Sequence, residues 1–261
     1  MKKILLGAIA TAVLAVPALA ADLPARTYTK APIAMAPVAT WTGCYVGGNI
    51  GGGWQKTSAT DVGPDIPTAT ADAGTDTGTG VVGGGQIGCD YQFASNWVVG
   101  VQGMFDGAGV KGSHLASSAY AGDNTETFST KTNWFATLTG RLGYAITPQA
   151  LLYAKGGVAF VNENYTDTDP AAVPPFAGQG STNRTGWTVG GGGEYKFSPN
   201  WSVFAEYNYI GLGTKTSNYS YNCGSGCPGF VNPYPYAEKQ NLQTVLVGVN
   251  YRWGGPIVAK Y

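Results

Sequence analysis

Four cysteines are the residues of this chain best able to form covalent links. Cys223 and Cys227 flank a Gly-Ser-Gly tripeptide, while Cys44 and Cys89 lie in two successive segments with the pattern of β-strands. An even number of cysteines favours disulfide bonds where a chain is exported to an oxidising compartment. The sequence therefore predicts the pairs Cys223–Cys227 and Cys44–Cys89. A metal site is the alternative, although no histidine lies near Cys223 or Cys227.

The other candidate groups point away from catalysis. His114 is the single histidine and has no second catalytic motif near it, so an exposed loop residue is favoured over an active site or a haem ligand. Gly83, Gly85 and Gly88 fit the spacing of a dinucleotide fingerprint, but that motif needs a following helix and here lies inside one strand. Four aspartates fit no calcium-loop spacing and are expected in a solvated loop: Asp61, Asp65, Asp72 and Asp76. We predict no enzymatic site, no metal site and no cofactor.

The N-terminus has the organisation of a secretory signal peptide. Lys2 and Lys3 precede an apolar stretch, and Ala18-Leu19-Ala20 forms a cleavage site, so we expect export and removal of residues 1–20. A Pro- and Ala-rich periplasmic arm is predicted over 21–42. The charges balance to a net of 0, which gives no electrostatic basis for binding nucleic acid.

Composition and strand pattern predict a membrane barrel. Charged residues make up only 11% of the chain, well below the roughly 25% of soluble domains. Beyond the signal peptide no run reaches the ~20 apolar residues of a transmembrane helix, so a membrane-embedded chain must form a closed barrel. Apolar and polar residues alternate in eight segments: 44–56, 80–93, 97–106, 132–146, 151–162, 184–197, 201–212 and 241–253.

The connections between these segments differ in length. Three are short turns, and four are long, at 57–79, 107–131, 163–183 and 213–240. Short periplasmic turns and long external loops are typical of outer-membrane barrels. The predicted fold is all-β: an eight-stranded antiparallel up-and-down transmembrane β-barrel over 43–253, followed by a C-terminal tail over 254–261.

The last strand carries a pattern that resembles a barrel-insertion signal. Gly248 is followed by Tyr251 and Trp253, and the two aromatic rings fall on the apolar face. Because residues follow Trp253, either Trp253 or Tyr261 is the aromatic read by the insertion machinery.

The polar faces of the strands carry charged residues into the predicted interior. An eight-stranded barrel is only wide enough for side chains to fill it, so enclosed charges are expected to pair. Asp90 and Lys196 lie close to the turns, where solvation is the alternative. The inward acids and bases are Asp90, Asp106, Glu194 and Glu206 with Arg141, Lys155, Lys196 and Arg252.

Two motifs resemble those of a known family. The stretch from Trp41 to Gly51, WTGCYVGGNIG, and the ending from Gly248 to Trp253 are similar to the outer-membrane immunogenic proteins of alpha-proteobacteria, which are small porin-like barrels of the OmpA-like superfamily. The resemblance implies an outer-membrane location and a structural, surface-exposed role. It also implies contact with outer-membrane lipids and the insertion machinery, and loops that meet host or environmental ligands. The alternatives are a narrow passive porin and a lipid A-modifying barrel enzyme, with haemin as a less favoured ligand.

Overall fold

The computed structural model describes residues 40–63, 71–116, 125–171, 175–222 and 233–254. Several predicted features lie outside these ranges: the signal peptide, almost all of the arm over 21–42, the Cys223–Cys227 pair, Asp65 and the tail beyond 254. Within the described ranges there is no helix that is long and apolar enough to cross a membrane.

Eight strands form one closed barrel, as the sequence predicts. Each strand pairs antiparallel with its neighbours in the chain, and the last strand closes on the first, where Val46 lies opposite Tyr251. The strands are β1 (Gly43–Asp61), β2 (Ala71–Phe93), β3 (Trp97–Leu115), β4 (Thr127–Ala145), β5 (Ala150–Asp169), β6 (Phe176–Lys196), β7 (Trp201–Asn222) and β8 (Tyr234–Trp253).

The strands are much longer than the sequence pattern indicates. They contain 19 to 23 residues, whereas roughly 9–11 residues cross a bilayer. The prediction of long loops over 57–79, 107–131, 163–183 and 213–240 is therefore wrong, because strands occupy most of these residues. We call the barrel end with the three short turns the turn end and the opposite end the loop end. The strand segments at the loop end, which continue past the part of each strand that faces lipid, are called the extension.

The outward face carries an apolar band bounded by two rings of aromatic side chains. Aliphatic residues such as Ile50 (60% exposed) and Val101 (59% exposed) point outward between the rings. In β3 the band runs from Trp97 to Phe105, nine residues, which fits one bilayer crossing. The turn-end girdle contains the ring pairs Trp97–Tyr144, Trp201–Tyr251 and Tyr251–Trp253. The loop-end girdle contains Trp54–Tyr207, Phe105–Trp134 and Trp187–Tyr209.

The residues of the predicted insertion signal divide between the two faces of β8. Tyr251 and Trp253 are exposed in the turn-end girdle, and their rings stack with centroids 6.5 Å apart. Gly248 belongs to the inward face, where an added Cβ would lie 2.5 Å from the ring of Phe204. The glycine therefore makes room for an interior aromatic ring.

Cys44 and Cys89 form a disulfide bond between the first two strands. The two residues lie directly opposite each other in the β1–β2 pair, on the outward face near the turn end. This confirms the predicted pair and links positions 45 residues apart in the chain.

Removing this bond is predicted to destabilise the barrel. A cross-link across 45 residues lowers the entropy of the unfolded chain, so the Cys44→Ser, Cys89→Ser double variant should lose up to about 4 kcal/mol of unfolding free energy. Urea unfolding in detergent measures this loss. Reduced wild type should match the variant; equal stability of the variant and oxidised wild type would contradict the expectation.

Candidate functional site in the barrel interior

A network of two arginines and two carboxylates fills the interior on the turn-end side. Arg141 Nη2 lies 2.6 Å from Glu194 Oε2, and Arg141 Nη1 lies 3.9 Å from Asp90 Oδ2. Arg252 Nη2 lies 2.8 Å from Asp90 Oδ2 and 3.6 Å from Glu194 Oε1. All four side chains are almost completely excluded from solvent. Each charge thus has two opposite charges near it, which offsets part of the cost of its dehydration.

Aromatic rings surround the two arginines of this network. The guanidinium carbon of Arg141 lies 3.9 Å from the ring centroid of Tyr153, and that of Arg252 lies 4.8 Å from the ring centroid of Tyr45. Arg141 Nη1 also donates a hydrogen bond of 3.2 Å to the hydroxyl of Tyr45. Ring faces attract cations when water is excluded, so the arginines are stabilised from their flat sides as well as at their edges.

A second ion pair lies beside the network. Lys155 Nζ is 2.7 Å from Glu206 Oε1 and donates to Gln102 Oε1 at 2.9 Å. The hydroxyl of Tyr153 donates to the other oxygen of Glu206 at 3.0 Å. The carboxylate of Glu206 therefore has partners on both oxygens and is fixed in place.

Two of the predicted inward charges have no opposite charge within ion-pair distance among the described residues. Asp106 is buried beside Asn49, and the nearby Lys155 is held by Glu206 and Gln102. Lys196 donates to the backbone oxygen of Thr40 and lies 4.2 Å from the ring centroid of Trp41. The alternative that Asp90 and Lys196 are solvated near the turns is wrong, because these residues are only 5% and 6% exposed.

An apolar layer lies in the interior, largely on the loop-end side of the charged network. Its members come from six of the eight strands, and each is at most 6% exposed: Val82, Met104, Val110, Phe135, Ala159, Val161, Ile210, Leu212, Leu242 and Leu246. Gly53 of β1 faces the layer, where an added Cβ would come within 2.9 Å of Val82 and 3.1 Å of Val110. Side chains of β2 and β3 therefore pack closely over Gly53 inside the layer.

A further ion pair lies in the extension and was missed from the sequence. Arg184 Nη1 lies 3.7 Å from Glu163 Oε2, and Arg184 Nη2 donates to the backbone oxygens of Gly213 and Glu238. The predicted fifth strand ended at Asn162, so Glu163 was assigned to a loop. Continuing the strand parity past residue 162 would have placed Glu163 in the interior.

Tyrosines and carboxyl groups line the interior of the extension at the loop end. Tyr219 donates to Glu238 at 2.5 Å, and Tyr221 donates to Asp167 at 2.6 Å. These rings belong to a buried cluster of Tyr165, Tyr219, Tyr221, Tyr234 and Tyr236 with Phe128 and three alanines. The phenol groups thus serve as hydrogen-bond donors to acids that arginine does not reach.

His114 and two aspartates assigned to loops lie instead on strands. His114 belongs to β3, where its ring stacks on Phe128 at 5.6 Å and its Nε2 lies 3.3 Å from the backbone oxygen of Ala73. Asp61 and Asp76 are buried on β1 and β2. The expectations of an exposed histidine and a solvated acidic loop were wrong for these residues. In the described ranges no group of acids, histidines and cysteines has the arrangement of a metal site.

Burial keeps protons on several acids of the extension. It raises the pKa of Glu126 to about 9, and the neighbouring carboxyl of Asp167, to which Glu126 is hydrogen-bonded, adds to the shift. Burial also raises the pKa of Glu163 to about 7, although Arg184 opposes that change. A protonated carboxyl group can donate a hydrogen bond to an ionised neighbour. In the loop-end interior a retained proton on Glu126 thus adds to the tyrosine donors and the Arg184–Glu163 pair, whereas the turn-end side is held by ion pairs.

Stability is predicted to fall as the pH rises. The pKa of Glu126 is higher in the folded chain than its usual value, so its contribution is complete below about pH 4.5 and is lost as the pH rises through about 9. One such proton changes the unfolding free energy by at most about 1.4 kcal/mol per pH unit. Thermal unfolding of wild type and Glu126→Gln between pH 5 and 10 measures this. The variant should show the weaker dependence on pH; parallel curves would refute the assignment.

Comparisons with known proteins agree with this architecture. The family model described as "Outer membrane protein beta-barrel domain" matches residues 6–253. The 31 kDa outer-membrane immunogenic protein of Brucella melitensis biotype 1 is 33% identical over 259 residues, which cover 97% of this chain and 100% of that protein. The 25 kDa outer-membrane immunogenic protein of Brucella ovis is 27% identical and covers 75% of this chain and 82% of its own length.

Among solved structures, the chain is similar to the outer membrane protease OmpT from Escherichia coli. The TM-score is 0.52 at 10% sequence identity, and the match covers 81% of this chain and 97% of that chain. At this identity the similarity concerns the fold alone.

Proposed function

This chain belongs to the outer membrane protein beta-barrel domain family, and from that premise we propose that it is a non-enzymatic, closed barrel with a structural and surface-exposed role in the cell envelope. It is located in the outer membrane, as are the relatives named outer-membrane immunogenic proteins. Those names describe outer-membrane proteins that elicit an immune response, which supports surface exposure of this chain.

The observation that carries the proposal is the apolar layer of the interior. Phe135 of β4 and Leu246 of β8 belong to this layer on opposite sides of the ring, and both are fully excluded from solvent. An apolar constriction without water is a barrier to ions and polar solutes. The layer therefore favours a structural barrel over the narrow passive porin.

The proposed orientation places the loop end outside the cell. Short connections at residues 94–96, 146–149 and 197–200 lie at one end, and barrels of this class have their short turns in the periplasm. The extension would then project from the outer surface and present the loops to host or environmental ligands. Tyr251 and Trp253 would lie at the periplasmic girdle, where the insertion machinery meets the last strand.

We assign no catalytic reaction to the barrel. The similarity to a protease extends to the fold at 10% identity, and fold alone does not transfer catalytic residues. His114 is stacked on Phe128, and the loop-end acids Glu238 and Asp167 accept hydrogen bonds from Tyr219 and Tyr221. These contacts support a packed interior rather than a lipid A-modifying or proteolytic site.

Conductance tests the closed barrel against the porin. Wild type, refolded and inserted into planar bilayers, should show no stable single-channel steps. Phe135→Ala with Leu246→Ala should admit ions because the apolar layer loses side chains from two walls. The outward-facing pair Leu138→Ala and Val247→Ala removes similar volume from the lipid-facing surface and should remain silent. Large, stable steps in wild type would contradict the closed barrel and favour the porin.

A further inference from the structure

Charges in the described residues are sorted between the two faces of the barrel wall. The three arginines of the described ranges are buried, and so are the acids, with Asp72 as the exposed exception. The exposed bases, in contrast, are five lysines that all lie on the outward face of the extension: Lys56, Lys111, Lys131, Lys215 and Lys239. The outer surface of the extension is therefore positively charged.

Two of these lysines lie just beyond the loop-end girdle. Lys56 follows Trp54 by two residues, and Lys131 precedes Trp134 by three. A strand rises about 3.3 Å per residue, so these ammonium groups start within about 10 Å of the aromatic ring. The headgroup layer of a bilayer leaflet is about 5–7 Å thick, and a lysine stem can bend back toward it. Lys56 and Lys131 thus reach the depth of lipid headgroups, and Lys111 lies directly opposite Lys131 in the β3–β4 pair.

Lys111 and Lys131 are unusual within this group because they lie directly opposite each other in the β3–β4 pair. Like charges that face each other across a strand pair destabilise a sheet. Among the described residues, no acid lies within ion-pair distance of either lysine. An external anion is therefore the partner that would remove this repulsion.

A groove with polar walls surrounds this pair of lysines. It has a volume of about 550 Å³ and is open to the outside. Its walls contain hydroxyl and amide groups that can donate hydrogen bonds: Thr77, Ser113, Ser129, Asn164 and Thr166. On the membrane side of the groove, the rings of Phe105 and Trp134 stack at 5.6 Å and form an apolar surface.

We propose that the groove around Lys111 and Lys131 binds a phosphate group of lipid A in the outer leaflet. The two ammonium groups neutralise the phosphate, the wall hydroxyls donate to its oxygens, and the acyl chains lie along Phe105 and Trp134. This combination of a double positive charge above an apolar surface fits a phosphorylated lipid and not a free anion. The location of the groove in the outer leaflet rests on the proposed orientation, whereas the binding itself does not.

The other lysines provide a matched control. Lys215 and Lys239 lie on β7 and β8, away from the groove, and Lys215 already donates to the backbone oxygen of Asn183 at 2.6 Å. The double variants Lys111→Gln, Lys131→Gln and Lys215→Gln, Lys239→Gln remove the same charge from the same face. All four side chains are exposed, so both variants should fold, which the shifted electrophoretic mobility of unheated barrel verifies.

The test is a titration of purified protein in detergent micelles with diphosphoryl lipid A, followed by native mass spectrometry. Each lysine near an anionic headgroup contributes about fivefold to affinity, so the groove variant should bind about twenty-five-fold more weakly. The control variant should stay within about twofold of wild type. Dephosphorylated lipid A should bind wild type as weakly as the phosphorylated lipid binds the groove variant.

Three outcomes would overturn the proposal. Equal losses in both double variants would indicate diffuse surface charge instead of a site. Unchanged affinity in the groove variant would exclude its two lysines. Undiminished binding of dephosphorylated lipid A would show that only the acyl chains are recognised. The titration is independent of the closed interior, so its failure would leave the conductance result unaffected.

Discussion

The structure depends on one constraint: each backbone N–H and C=O group within the apolar band must bond to another backbone group, because lipid offers no partner. The pairing of β1 with β8 completes the ring and leaves no unpaired strand edge. Since side chains alternate along a strand, the same ring has one face toward lipid and one toward the interior. Charged residues at the level of the band can therefore lie only inside, where Arg141, Glu194 and Asp90 are found.

Because the interior is narrow, the inward-facing side chains must pack against one another. Eight strands enclose space for side chains and little else, so the enclosed charges must neutralise one another. Arg141 and Arg252 meet Asp90 and Glu194 on the turn-end side, and the apolar layer separates them from the acids of the extension. In the extension the excess of carboxyl groups is accommodated by tyrosine donors and retained protons, as at Tyr219 with Glu238. Structure and proposed function agree, because an interior filled with side chains is what a structural barrel requires.

The sequence was informative where lipid imposes a strict pattern. Outward residues such as Val101 and Tyr251 alternate with polar ones, which revealed eight strands, their order and the inward parity of Arg141. It failed where that pattern fades: outward residues beyond the loop-end girdle, such as Lys56 and Lys111, are polar, so the strand ends were read as loops. The sequence could not predict which inward charges pair across the barrel, because pairing depends on the stagger of the strands. Asp106 is inward as expected, yet Lys155 bonds to Glu206 instead.

The central claim is that the interior charges are held in place by one another. A double-mutant cycle on Arg141 and Glu194, whose charged atoms lie 2.6 Å apart, tests it most directly through the free energy of unfolding in detergent. Arg141→Met and Glu194→Gln should each lose about 3–5 kcal/mol, because each leaves an uncompensated buried charge. The double variant should lose clearly less than the sum, with a coupling of about 1–3 kcal/mol. Losses that simply add, or single losses below about 0.5 kcal/mol, would contradict the claim.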